Sequence, residues 1–146
     1  MYTLCVICAR TGSKGVKNKN FIRIKGKSLI RHTLDFAVKS KIFDYIAVSV
    51  DKKKISLGKN SSKTIFIQRP NKLAKSNSNK LDAIRHAVKF CEKETKKNFS
   101  YIFDLDVTSP LRNLKDLKNA FKKFKKENAS NLFSVTPSRK NPYFNM

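Results

Sequence analysis

Short apolar runs alternate along this chain with stretches whose apolar residues recur at helical spacing, and that alternation constrains the fold more than any other feature. Thr3 to Ala9 reads as a buried strand, and Tyr45 to Val50, Thr64 to Gln68, Tyr101 to Leu105 and Leu132 to Val135 read as further strands, Pro70 stopping the third run. Ser28 is placed to cap a helix in which Leu29, Ile30, Leu34, Ala37 and Val38 share one face. Leu81, Ile84, Ala87, Val88 and Cys91 line a second helix, and Leu114, Leu117, Phe121 and Phe124 mark a third. The lysine-rich connection after Val50 has room for a short extra helix. Strands joined through helices form right-handed crossovers, which predicts a mainly parallel sheet covered on both faces, an α/β layout. One domain over residues 1–146 is expected, without repeats or a linker, and a sheet halted soon after its fifth strand would lack pieces at the C-terminal side.

Forty per cent hydrophobic residues, with 11 Phe, suffice for a packed core, so charge-driven disorder is not expected. The chain carries 33 Lys+Arg against 10 Asp+Glu, a formal charge of +23. Such a surplus suits nucleic acid, but most of these cations are lysines rather than the forked arginines that read phosphates and base edges, and many, such as Lys115, Lys118, Lys122 and Lys125, fall on outer helix faces. A nucleic-acid partner is therefore not expected. No apolar run approaches the roughly 20 residues of a bilayer span, and no leader pattern opens the chain, so a cytoplasmic protein without a membrane segment is expected. Three cysteines form no disulfide framework. Cys5 and Cys8 are three apart on a strand and point to opposite faces, so both read as core, as does Cys91 on its helix stripe. His32 and His86 lie inside helix patterns without a catalytic partner in sequence.

In doubly wound sheets ligands sit outside the carboxyl ends of the strands, which directs attention to the loops there. The first loop, Arg10 to Asn20, holds Gly12 and Gly15, which let backbone N–H groups approach a ligand, the Ser13 hydroxyl, and the cations Arg10, Lys14 and Lys19. It matches neither the Walker spacing nor the dinucleotide glycine pattern; it reads as a phosphate-binding loop or a solvated basic turn. After the third strand, Pro70 holds Arg69 extended, where it would reach a nucleotide or remain a surface arginine. After the fourth, Asp104 and Asp106 stand at i and i+2 and point the same way, suiting either a hard cation such as Mg²⁺ or a strand-end cap.

The loop Ala9-Arg10-Thr11-Gly12-Ser13-Lys14-Gly15 through Lys19-Asn20 resembles the signature loop of the acylneuraminate cytidylyltransferases. Arg69-Pro70 with Leu73-Ala74, the helix from Asp82 to His86, Thr108-Ser109-Pro110-Leu111-Arg112, Ser134-Val135 and Asn141-Pro142-Tyr143 are similar to family segments in the same order. The resemblance implies a three-layer α/β/α, Rossmann-like nucleotide-diphospho-sugar transferase fold. It implies transfer of CMP from CTP to an acidic nine-carbon nonulosonic acid, with release of pyrophosphate, Mg²⁺ as cofactor and a homodimer. Carried over by position, Arg10, Lys14 and Lys19 would be catalytic. Arg10, Gly12, Ser13, Lys14, Lys19, Asn20, Arg69, Asn79 and Asp106 would hold CTP; Asp106, Tyr143 and Phe144 would meet the sugar, and Asp106 with Asp104 the metal. Asp106-Val107 stands where many sialic acid members have Gln-Pro and resembles the branch that activates legionaminic acid; Ser76 replaces the family's acidic residue after Leu-Ala, and Phe144 lies where some members place a lysine. The family's chain also continues through a dimerisation segment, further sugar contacts and a second pair of aspartates. The competing expectation is a non-catalytic basic α/β module, or a truncated remnant, that binds nucleotide or nucleic acid.

Overall fold

A computed structural model describes residues 1–12, 15–51, 57 and 62–137, and divides the chain into two compact units, Met1–Arg112 and Asn113–Met146. The first unit is built on a four-stranded sheet of β1 (Tyr2–Ala9), β4 (Tyr45–Val50), β5 (Thr64–Gln68) and β6 (Phe99–Asp104) in the order β5-β4-β1-β6, every pair parallel. A two-residue hairpin, β2 (Arg23–Ile24) with β3 (Lys27–Ser28), precedes α1 (Leu29–Ser40), and α2 (Lys80–Thr95) links β5 to β6. Gly26, at φ 78°, makes the left-handed bend of that hairpin, a conformation that costs glycine nothing.

β1 and β4 occupy the centre because they are apolar on both faces, whereas β6, at one edge, alternates partly buried and exposed residues. Leu4, Val6, Ala47 and Ile67 pack with Ala87 and Cys91 of α2. Cys5 and Ile7, alternating with them along β1, are also fully buried and face the opposite layer, where α1 crosses β1 and β4. The crossovers β1-α1-β4 and β5-α2-β6 run in opposite directions across the sheet, which for right-handed connections places their helices on opposite faces. The three-layer expectation holds in this unit.

Local chemistry sets the helix starts, at Ser28 as anticipated and at Asn79 as the structure adds. The Ser28 hydroxyl accepts from the Arg31 N–H, and the Asn79 side chain accepts from Leu81 N–H at 2.9 Å, starting α2 one residue before its apolar stripe. The strand anticipated over Tyr101 to Leu105 begins and ends earlier, at Phe99 and Asp104. Pairing with β1 sets its limits: Tyr2 lies opposite Phe99 and Val6 opposite Asp104.

In the second unit α3 (Leu114–Lys126) is capped by Asn113, whose side chain accepts from Asp116 N–H at 2.8 Å, and carries Leu114, Leu117, Phe121 and Phe124 on its less exposed side. The strand anticipated over Leu132 to Val135 is not formed. Phe133 and Val135 are 75% and 82% exposed, and among the described residues no ladder takes this segment in; extended chain becomes a strand only against a partner edge. The short helix expected after Val50 falls on residues mostly outside the described ones.

Candidate active site at the carboxyl ends of the strands

A cavity of about 580 Å³ opens where β1, β5 and β6 end and α2 begins. Arg10 follows β1 directly. Asp51, just after β4, accepts from the Thr11 N–H at 3.1 Å and lies 2.9 Å from the Thr11 hydroxyl, while the Asn20 amide donates to the Arg10 carbonyl at 3.0 Å. These two contacts fasten both ends of the first loop and leave the Arg10 guanidinium at the cavity, where its Nη1 donates to the Lys75 carbonyl at 3.0 Å. Lys19 lies on the same wall in a 3-10 turn over Lys19–Phe21.

Arg69 is only 4% exposed. Its Nε donates to the Ser49 hydroxyl at 3.1 Å and its Nη2 to the Ser49 carbonyl at 2.8 Å, so the end of β4 fixes the fork from behind. Among the described residues no carboxylate forms an ion pair with it. A buried guanidinium held by neutral oxygens is an uncompensated positive charge at a cavity wall. Asn79 and Lys80 bring the start of α2 to the same space, where the helix dipole adds positive potential.

An acidic pair stands at the end of β6, with Asp106 lining the cavity. Lys80 Nζ lies 2.5 Å from Asp104 Oδ2 and 3.1 Å from Asp106 Oδ2, so one ammonium bridges both carboxylates. The other oxygen of Asp106 accepts from the Thr108 N–H at 2.9 Å and from its hydroxyl at 2.8 Å. Arg112 donates to the Asp106 carbonyl, and its guanidinium lies 5.6 Å from the Phe36 ring centre. Thr108 and Arg112 of the Thr-Ser-Pro-Leu-Arg segment thus orient the Asp106 carboxylate. Burial works against the charge on Asp106, but the Thr108 donors and Lys80 outweigh it and hold the carboxyl below its ordinary range. Burial likewise opposes the charge on Lys80, and Asp104 followed by Asp106 overcomes it and raises the lysine's pKa.

Of the residues singled out from sequence, Arg10, Lys19, Asn20, Arg69, Asn79 and Asp106 line this one cavity, and Asp104 joins them through Lys80. Gly12 is exposed and does not line it; Gly15 does. Neither glycine has a left-handed φ, and a Cβ on either would meet nothing within 4 Å, so nothing inside the described protein demands glycine there. Ser13, Lys14, Tyr143 and Phe144 lie outside the described residues. Cys5 and Cys8 do face opposite sides of the sheet. Cys8 reaches the cavity floor and burial raises its pKa, as it does that of Cys5, which keeps both thiols protonated. Lys80, Ser49 and Asp51 escaped the sequence reading: Lys80 resembled one more surface lysine, and the other two act only through strand neighbours distant in sequence. Among the described residues no three His, Cys, Asp or Glu side chains gather as a metal cluster.

The first unit thus places a cationic cavity beside paired carboxylates at the carboxyl ends of a parallel α/β sheet, where folds of this class take their ligands. The chain belongs to the cytidylyltransferase family, whose family model matches residues 4–143. It is 38% identical to the "Post-translational flagellin modification protein B" of Campylobacter coli and 40% identical to the "CMP-N,N'-diacetyllegionaminic acid synthase" of Campylobacter jejuni. Each alignment takes in 98% of this chain and 61% of the relative, so the chain spans about three fifths of those proteins' length. It is also 33% identical to a "Pseudaminic acid cytidylyltransferase" of Campylobacter jejuni, over 93% of this chain and 59% of that one. Among solved structures it is similar to CMP:2-keto-3-deoxy-manno-octonic acid synthetase complexed with CTP, with a TM-score of 0.63 over 88% of this chain and 49% of that chain. At 18% identity that likeness concerns the fold alone.

Proposed function

We propose that the chain carries the CTP-binding part of an enzyme that transfers CMP from CTP to a nonulosonic acid, N-acetylneuraminic, legionaminic or a related sugar, for surface glycan biosynthesis in the cytoplasm. The observation that carries this reading is the single cavity shared by Arg10, Lys19 and Arg69 with the start of α2 and Asp106, in a chain that belongs to the cytidylyltransferase family. Arg10 and Lys19, joined by Ser13 and Lys14, hold the triphosphate; Arg69, fixed on Ser49, contacts the nucleotide; Asn20 and Asn79 shape its surroundings. Asp106 also meets the sugar, with Tyr143 and Phe144, and the assembled enzyme is a homodimer.

The sugar's anomeric hydroxyl attacks the α-phosphorus. An oxygen–phosphorus bond forms, the bond to the oxygen bridging the α- and β-phosphates breaks, pyrophosphate leaves, and the hydroxyl proton passes to solvent. Charge gathers on phosphate oxygens throughout, and Arg10 and Lys19 stabilise it. Asp104 and Asp106 fit Mg²⁺, because hard oxygens of both already converge on one cation, the Lys80 ammonium. When bound, the metal supplies neutralisation of the leaving pyrophosphate.

Calorimetric titration of CTP in Mg²⁺ buffer is expected to give one site that discriminates against ATP and GTP, and addition of the matching nonulosonic acid to release pyrophosphate. Absence of CTP binding would overturn the proposal. A nucleic-acid-binding remnant, the competing expectation, is not favoured by this family membership.

A further inference from the structure

Lys80 has no role in the reading above, yet its ammonium occupies the position where a divalent cation would join the two carboxylates. It is the first residue of α2, immediately after the Asn79 cap, so the helix start fixes where its stem leaves the backbone. Its nitrogen is within 3.1 Å of an oxygen of each aspartate, and the side chain stays 44% exposed on the cavity side. A tether at one end and open space at the other give the ammonium two stations: between the carboxylates, or out in the cavity beside Arg10 and Lys19.

We infer that Lys80 is a built-in placeholder cation of the Asp104–Asp106 pair, displaced into the phosphate cavity when a divalent metal enters. The inference rests on the proposed CTP site for its second station, and on geometry alone for its first. Two like-charged ions cannot share the space between two carboxylates, since a monovalent and a divalent cation at about 4 Å repel strongly even at a protein-like dielectric. Metal affinity without nucleotide is therefore held down by the lysine. Bound phosphate lifts that restraint by offering the displaced ammonium a new anionic partner. The acidic pair thus remains partly neutralised in the empty protein, and the metal is admitted together with the nucleotide. Lys80 is on this account a positioning residue for the metal.

Lys80→Met keeps an unbranched stem of similar shape and removes the charged end. Titration with Mn²⁺ alone, read from the free-ion electron paramagnetic resonance signal, is expected to show this variant binding about tenfold tighter than the wild type. Asp104→Asn added to Lys80→Met is expected to abolish the gain. A merely structural lysine would give no gain. Equal or weaker Mn²⁺ binding by a Lys80→Met protein with the wild-type circular dichroism spectrum would overturn the inference. Lys80→Gln, which removes the charge and keeps a polar end one bond shorter, is expected to show the same gain should the methionine variant fail to fold. A calorimetric CTP titration of the wild type separates the two readings. Failure there removes the proposed nucleotide function and leaves the Mn²⁺ comparison standing.

Discussion

Arg69 is the residue at which reading the sequence and reading the structure come closest and then part. Its place after the third anticipated strand, held extended by Pro70, made it a candidate for a ligand. That Ser49 would immobilise it was not legible, because the two meet only when β5 pairs beside β4. The same holds for Asp44, which accepts from the Thr3 N–H at 2.8 Å and lies 2.8 Å from the Thr3 hydroxyl across the start of β1. Asp44→Ala leaves a buried donor unsatisfied and is expected to cost about 1–3 kcal/mol, read from the urea midpoint. The Thr3 backbone hydrogen bond leads the causes that hold the Asp44 carboxyl below its ordinary value, against burial. A depressed carboxyl contributes stability that is complete above the unfolded-state pKa of about 4 and lost as pH falls through the lower folded value. The wild type is therefore expected to lose stability in that acid range, and Asp44→Ala to show a flatter acid limb in the same denaturation series.

Elements were legible where periodicity and caps agreed. Ser28 and Asn113 each precede an apolar stripe, and each caps the helix that follows. Leu132 to Val135 had the composition of a strand and, among the described residues, lacked what composition cannot supply, a paired neighbouring edge. The glycines of the first loop adopt no left-handed backbone conformation, so the fold by itself does not require glycine at either position. Asn79 unites the two kinds of information, ending a loop of the cavity and capping α2. Asn79→Ala is expected to lower stability by about 1 kcal/mol in chemical denaturation, through the orphaned Leu81 N–H, and Asn79→Ser to restore most of it.

For the whole molecule, a charge of +23 describes the surface more than the site. Lys93 lies 13 residues beyond Lys80 on α2, about 20 Å along the axis, well past the Debye length of about 8 Å at physiological salt. Lys93→Glu is expected to change CTP affinity less than about twofold in calorimetry at that ionic strength, and Lys19→Glu to lower it about tenfold or more. An equal loss from both would mean that net charge, and not placement, governs binding. The mainly parallel architecture was readable from alternation alone, whereas the union of loops into one cavity depended on strand order, which alternation does not specify.

That strand order also dictates when the cavity comes into being during folding. β1 finds β4 through the single helix α1, but β6 closes onto β1 only after almost the entire first unit has been traversed, with Tyr2 opposite Phe99. Asp104 and Asp106 arrive with β6, so the carboxylates join the cavity at the closure of longest loop length, the slowest kind of contact to form. A partly assembled chain presents cations without their opposing carboxylates. A ligand that required both the cations and the carboxylates would consequently oppose the opening of a finished molecule far more than it hastened the finishing of an unfinished one.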